Sequence, residues 1–199
     1  ESGHDWTDAD IIMIETSTGE QKTIVKREGN QYRPDISGEF VVWQDKIHGI
    51  WDIYALNLAS GVVFPVSVSG SRKTAPRISG DRVVFVDEQS GDPDIRMVNL
   101  SSGKDSMVCT APDVQWQPVI DSDWIVWEDW RDGAASRGDI IGYHVPSGRE
   151  IQISDSSPGR GDWFPDISSG WVVWQSDQKG NFDIYAKTLT TGASVQVTT

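Results

Sequence analysis

The chain is short of cysteine, histidine, basic residues and long apolar runs, and each shortage removes a class of protein. A single cysteine among 199 residues, Cys109, allows no internal disulfide. Its place in the outermost strand of a repeat makes it a small apolar residue rather than a reactive thiol. The three histidines, His4, His48 and His144, fall at unrelated positions, so a His-based metal or nucleophile site is not expected. Phosphate-cradling and metallohydrolase phrases are missing too. Lys and Arg number 17 against 30 Asp and Glu, a formal charge of −13, which repels nucleic-acid phosphates and anionic lipid. No apolar stretch is long enough to span a bilayer, so direct membrane insertion is not expected. Residues 1–5 have neither the basic nor the apolar region of a signal peptide, so an export signal is expected to be removed or to lie outside this sequence.

What the chain has in quantity is one phrase, repeated. Pro-Asp-Ile-Ser-Gly-x-x-Val-Val-Trp-Gln-Asp is followed within about ten residues by Asp-Ile-Tyr and then by a Ser-Gly or Thr-Gly turn. The prolines fall at Pro34, Pro76, Pro118 and Pro165, and the aspartates before isoleucine at Asp10, Asp52, Asp94, Asp139 and Asp183, a period of 42 to 47 residues. A unit of that length with four short β-patterned runs and no helical run is a propeller blade, whose faces are buried only by its neighbours. The expected fold is all-β, a β-propeller of four-stranded antiparallel blades.

Within one repeat, Pro34–Ser37 reads as strand A, opened by a residue that cannot donate to a ladder. Residues 40–45, β-branched and aromatic almost without alternation, read as a strand B packed on both faces. Residues 52–58 read as strand C and 62–67 as strand D, joined by a turn in which Gly61 supplies positive φ. The equivalent turns fall at Gly19, Gly103, Gly148 and Gly192. Trp43, Phe85, Trp127 and Trp174 hold the same place in strand B and form an expected ladder of inter-blade core rings.

These phrases resemble the TolB-like, WD40-like propeller repeats of periplasmic TolB and of many secreted or cell-surface bacterial and archaeal proteins. The resemblance covers essentially the whole chain. The wording is closest to the tandem repeats of archaeal surface-layer-type proteins and departs from TolB itself, whose repeats tend to read Trp-Ser-Pro-Asp-Gly where this chain reads Ile-Ser-Gly. The resemblance implies architecture and an extracellular, cell-surface or periplasmic setting. It implies no catalytic residue and no cofactor.

Four A–B units but five C–D units are present, so the chain spells four and a half blades. One propeller domain over 1–199 is expected, with a half blade at about 1–30 and blades at 31–72, 73–114, 115–161 and 162–199. A segment of a longer array is the simplest origin of the surplus, because identical copies share it and cannot correct one another.

Strand direction sorts the loops onto faces. The D–A and B–C loops lie on one end, called the top, and include the long loop at 130–138; the lower end has only short Gly turns. Variable loops on a rigid scaffold carry function, so the top is the candidate site. Two residues before each strand-A proline stand Tyr32, Thr74, Trp116 and Trp163, with Arg33, Gln117 and Asp162 as polar neighbours. Tyr32, Trp116, Trp163, Arg33 and Gln117 are the candidate ligand-binding set: the rings either stack on a sugar or planar ligand or seal the top of the core. Each B–C loop is also bracketed by carboxylates, Asp45 and Asp52, Asp87 and Asp94, Asp129 and Asp139, Asp177 and Asp183. Grouped loop oxygens suit Ca²⁺, but Asp before a strand more often accepts hydrogen bonds from its own loop, so no metal site is assigned. The expected function is that of a non-catalytic interaction or scaffold module, its partner a protein or cell-surface polymer on the top face. A carbohydrate-binding propeller that uses the rim aromatics is the alternative.

Overall fold

Residues 40–45 are apolar on both sides because strand B lies between two other sheets, and the computed structural model shows what covers each side. It describes residues 9–47, 49–67, 70–132, 137–154 and 159–199. His4, His48 and the stretch 133–136 of the long upper loop lie outside them. Val41 and Trp43 face back onto Ile11 and Val25 of the preceding sheet. Val42 faces forward with Ile53 and Ala55 onto Ile78, Val83 and Phe85 of the next sheet. A strand buried on both faces has no polar positions to alternate with, which is why the period-2 pattern is lost.

Among the described residues five antiparallel sheets follow one another along the chain. The first has two strands, β1 (Ile11–Ile14) and β2 (Gln21–Val25). The second has four, β3 (Gln31–Ser37), β4 (Phe40–Asp45), β5 (Asp52–Asn57) and β6 (Val62–Ser67). The third repeats the plan with β7 (Lys73–Ser79), β8 (Arg82–Asp87), β9 (Asp94–Asn99) and β10 (Asp105–Cys109). The fourth comprises β11 (Gln115–Asp121), β12 (Trp124–Asp129), β13 (Asp139–His144) and β14 (Arg149–Gln152). The fifth comprises β15 (Asp162–Ser168), β16 (Trp171–Ser176), β17 (Asp183–Thr188) and β18 (Ser194–Gln196). Each four-stranded sheet pairs its strands in chain order, and the four strands A (β3, β7, β11, β15) lie side by side at the inner end. The architecture is that of β-propeller blades, the first of them half present.

The ladder of rings is as expected: Trp43, Phe85 and Trp127 are fully buried and Trp174 nearly so. Two indoles also find a polar partner, since Trp43 Nε1 donates to Asp45 Oδ2 at 3.0 Å and Trp127 Nε1 to Asp129 Oδ2 at 2.8 Å. The C–D glycines have the required backbone, with φ between 65° and 74° at Gly19, Gly61, Gly103, Gly148 and Gly192. Burial pushes the Cys109 thiol up to about 11, so it stays protonated at neutral pH and behaves as an apolar group. His144 ends β13, its Nδ1 paired at 2.8 Å with Ser147 Oγ of the turn that follows.

Strand A is where the structure corrects the sequence reading. The strand does not open on its proline: β3 begins at Gln31, three residues earlier, and Pro34 sits inside it. The ladder tolerates the missing N–H because the register breaks there, between Tyr32 and Asp35, and again between Thr74 and Arg77, Trp116 and Val119, and Trp163 and Asp166. Tyr32, Arg33, Trp116, Gln117 and Trp163 therefore belong to strand A itself rather than to the loops before it.

Candidate functional site

The bulge has a specific backbone. Arg33, Ala75, Gln117 and Phe164, each directly before a strand-A proline, all have left-handed φ, between 51° and 55°. A proline disfavours helical φ and ψ in the residue before it, and a side chain disfavours the left-handed region anywhere, so the conformation must be held from outside. The preceding blade holds two of the four. Gln44 Oε1 accepts from the Ala75 N–H at 3.0 Å, and Glu128 Oε1 accepts from the Phe164 N–H at 2.7 Å. Further along strand A, Asp35 Oδ2 accepts from the Ile78 N–H at 3.0 Å, Ser79 Oγ from the Ser122 N–H at 2.9 Å, and Asp121 Oδ2 from the Ser169 N–H. Each strand A is thus stitched to the next by a side chain reaching for a backbone amide.

The consequence is a shared opening of about 470 Å³ at the upper end of the inner strands. Arg33, Ala75, Gln117 and Phe164 all line it, together with Arg72, Thr74 and Trp116, and Gln44 and Glu128 form part of its wall. Arg33 Nη1 comes to 3.5 Å from Gln117 Oε1. Arg72 pairs with Glu88 at 2.6 Å. Phe164 is 62% exposed, which leaves its face open to a ligand. Burial pushes the Glu128 carboxyl above the usual carboxylate range, partly opposed by the Phe164 amide that it accepts. The opening can offer guanidinium donors, an amide and two ring faces.

Of the five residues proposed from sequence, three meet here: Arg33, Trp116 and Gln117. Tyr32 and Trp163 keep partly exposed rings, as Trp116 does, but pack sideways onto the B–C loops of their own blades. Tyr32 is tilted over Trp51 at 5.5 Å and Trp163 stands edge-on to Phe182 at 5.6 Å. Sequence reasoning missed Phe164 because it placed the aromatic one position earlier. The available signal was variation: within an otherwise fixed phrase, the residue before proline changes from Arg to Ala to Gln to Phe.

Three of the four aspartate pairs are cross-strand neighbours, Asp45 opposite Asp52, Asp87 opposite Asp94 and Asp129 opposite Asp139, whereas Asp183 stands opposite Ser176 rather than Asp177. Most of their oxygens are engaged by the protein, although Asp45 Oδ1 is buried without a hydrogen bond. Asp87 accepts from Ser71 Oγ, the Gln89 N–H and Arg96, while Asp129 accepts from Trp127, from Arg131 and from the Arg131 N–H. Among the described residues no group of three or more His, Cys, Asp or Glu side chains is arranged to hold a metal ion.

Asp162, expected beside the rim, is instead fully buried. Ser154, Ser176 and Trp174 surround it, yet neither carboxylate oxygen has a hydrogen bond of ordinary geometry. Burial first, and the charge of Asp139 with it, pushes its carboxyl above the ordinary 3.8. A raised folded-state value means that this group favours the folded chain at low pH and penalises it as pH rises through that value and the buried carboxyl ionises. Asp162→Asn, which cannot ionise, should therefore stabilise the protein at pH 7. The gain should fade as pH drops toward 3.8 in thermal melts of the two proteins; a gain that does not depend on pH would refute the assignment.

With this geometry in view, the comparisons with solved structures are decisive for the fold. TolB of Acinetobacter baumannii superposes with a TM-score of 0.69 at 16% identity over 96% of this chain and 48% of its own. A putative TolB of Agrobacterium tumefaciens gives 0.63 at 17% identity, over 95% of this chain and 88% of its own. The fold is a TolB-like β-propeller. Other propellers share the TolB-like arrangement: a puromycin-hydrolysing peptidase of Mycobacterium tuberculosis matches with a TM-score of 0.67 at 15% identity, over 92% of this chain and 33% of its own. This chain spans about half the length of the Acinetobacter TolB. No protein-family model matches the sequence, and no curated protein matches it.

Proposed function

We propose that the chain is a non-catalytic interaction module of an exported or cell-surface protein, and that its opening on the top face grips a protein segment. The observation that carries this reading is the ring of left-handed residues before the prolines: backbone strain at four equivalent places turns Arg33, Gln117 and Phe164 into one opening. The chain is strongly acidic overall, so guanidinium groups at this mouth select for a partner that presents a carboxylate next to an apolar or aromatic side chain. TolB and peptidase propellers share the fold, and the reading as an interaction module rests on the opening rather than on them.

A carbohydrate ligand is the second reading, favoured by the open faces of Trp116 and Phe164 on one mouth. The test is a peptide display selection run beside a glycan array, each repeated on the Arg33→Ala/Trp116→Ala/Phe164→Ala variant. Peptide binders lost in the variant support the proposal. Sugar binding lost in the variant transfers the site to the lectin reading, and binding that the variant keeps removes the opening from both.

A further inference from the structure

The two ends of the row of sheets are unlike its interior. Val42, Val84 and Val126, which face the next sheet, are each 0% exposed, but the equivalent Val173 of the fifth sheet is 38% exposed. Ile53, Ile95 and Ile140 are likewise fully buried, whereas Ile184 is 38% exposed and Trp171 of the same sheet is 50% exposed. At the other end, Ile78, Ile120 and Ile167 of strand A are covered by the preceding sheet, and the equivalent Ile36 is 54% exposed. Ile12 and Ile14 of β1 are exposed as well, on the side that in the second sheet carries Tyr54 and Leu56 into the core.

At the β1 end of the row the exposed residues border one feature. β1 is the equivalent of strand C, and every other strand C in the chain pairs with a strand B, whereas β1 pairs only with β2. Its inner edge is therefore an unpaired strand edge among the described residues. Ile12, Met13, Ile14, Pro34 and Ile36 line a groove of about 300 Å³ along it. At the upper end of that edge Asp10 Oδ1 is buried with no partner, where Asp52, Asp94 and Asp139 each face the last residue of a strand B.

We propose that this groove binds a β-hairpin built like the A–B unit of this chain: an inner strand with isoleucine after Pro-Asp, a tight Gly turn, and a second strand with a Val-Val-aromatic run that adds to the edge of β1. The interior interfaces specify the occupant. Wherever a strand C is complete, a B strand such as Phe40–Asp45 pairs along it in register, and Val42 and its equivalents fill the face now open at Ile36. Main-chain pairing to an exposed edge supplies affinity, and the alternating side chains of the added strand supply specificity. The opposite face of such a hairpin carries the aromatic of strand B, which in the interior packs on the preceding sheet, so it also suits the open face of Trp171, Val173 and Ile184.

A synthetic peptide with the sequence of residues 31–45, cyclised to hold the hairpin, is the probe, and a scrambled cyclic peptide of the same composition is its control. The expected result is one-to-one binding and slower amide exchange at residues 11–14. The melting temperature should rise by about 5–10 °C when peptide is present at a hundredfold excess over its dissociation constant. Ile12→Asp, which changes an exposed side chain and spares the fold, should abolish all three effects. Met107→Asp, a matching change at an exposed apolar residue of the outer strand β10, should leave them intact. Equal binding of the scrambled peptide, or none at millimolar concentration, overturns the proposal. So does a concentration-dependent dimer of the chain alone that protects residues 11–14, which would assign the groove to a second copy.

Discussion

Trp127→Ala should lower stability by about 3–5 kcal/mol, the loss expected when a fully buried large ring is deleted from a packed interior. Trp127 is fully buried between the third and fourth sheets, against Val84, Val86, Ile95 and Met97 on one side and Ile125 and Ile141 on its own. The cavity would have no means of closing, because both sheets are held by their own ladders. The change also removes the indole donor from Asp129, which is itself buried. Trp130, three residues on, is only half-buried and lies against Gly138 at the upper loop, so Trp130→Ala should cost less than half as much. Denaturant titration of both variants measures the difference. Equal losses would mean that the division of this repeat into strand and loop is wrong.

Strand B, strand C and the C–D turns were legible in the sequence for a local reason. A run such as Val41-Val42-Trp43 has no polar alternative to being buried on both sides, and a glycine at each turn meets a local demand for positive φ. The incomplete first sheet was legible by counting, since among the described residues it has two strands where the other sheets have four. The bulge in strand A was not legible, because the local rule points the other way: the residue before a proline should be extended. What overrides it is a contact about 31 to 36 residues distant in sequence, from Gln44 to Ala75 and from Glu128 to Phe164. The candidate site inherits this limit. Arg33 and Gln117 were found because they are polar beside a repeated aromatic, but the direction of each side chain depends on the bulge, so Tyr32 and Trp163 were assigned to a mouth that Phe164 enters instead.

Lys73→Met should cost about 3–5 kcal/mol, the penalty for leaving a buried ionic group without its counter-charge. The Lys73 side chain is 0% exposed, and its Nζ lies 3.4 Å from Asp52 Oδ1 and donates to Ser71 O at 2.9 Å. Its equivalents are Gln31, Gln115 and Asp162, so the fold does not demand a cation at this position. The local carboxylates demand it. In the second, third and fourth sheets the acidic pair at the upper end receives a cation, but from a different place each time: Asp87 from Arg96 of its own sheet at 2.7 Å, Asp129 from Arg131 of the following loop at 2.6 Å, and Asp52 from Lys73 of the next blade. Methionine keeps the length and volume of the stem, so the loss reports charge rather than packing. The Lys73→Met/Asp52→Asn pair should recover a large part of it, and a double-mutant cycle measures the coupling between the two residues. A loss below about 1 kcal/mol for Lys73→Met, within the range of an exposed ion pair, would show that Asp52 is compensated without Lys73.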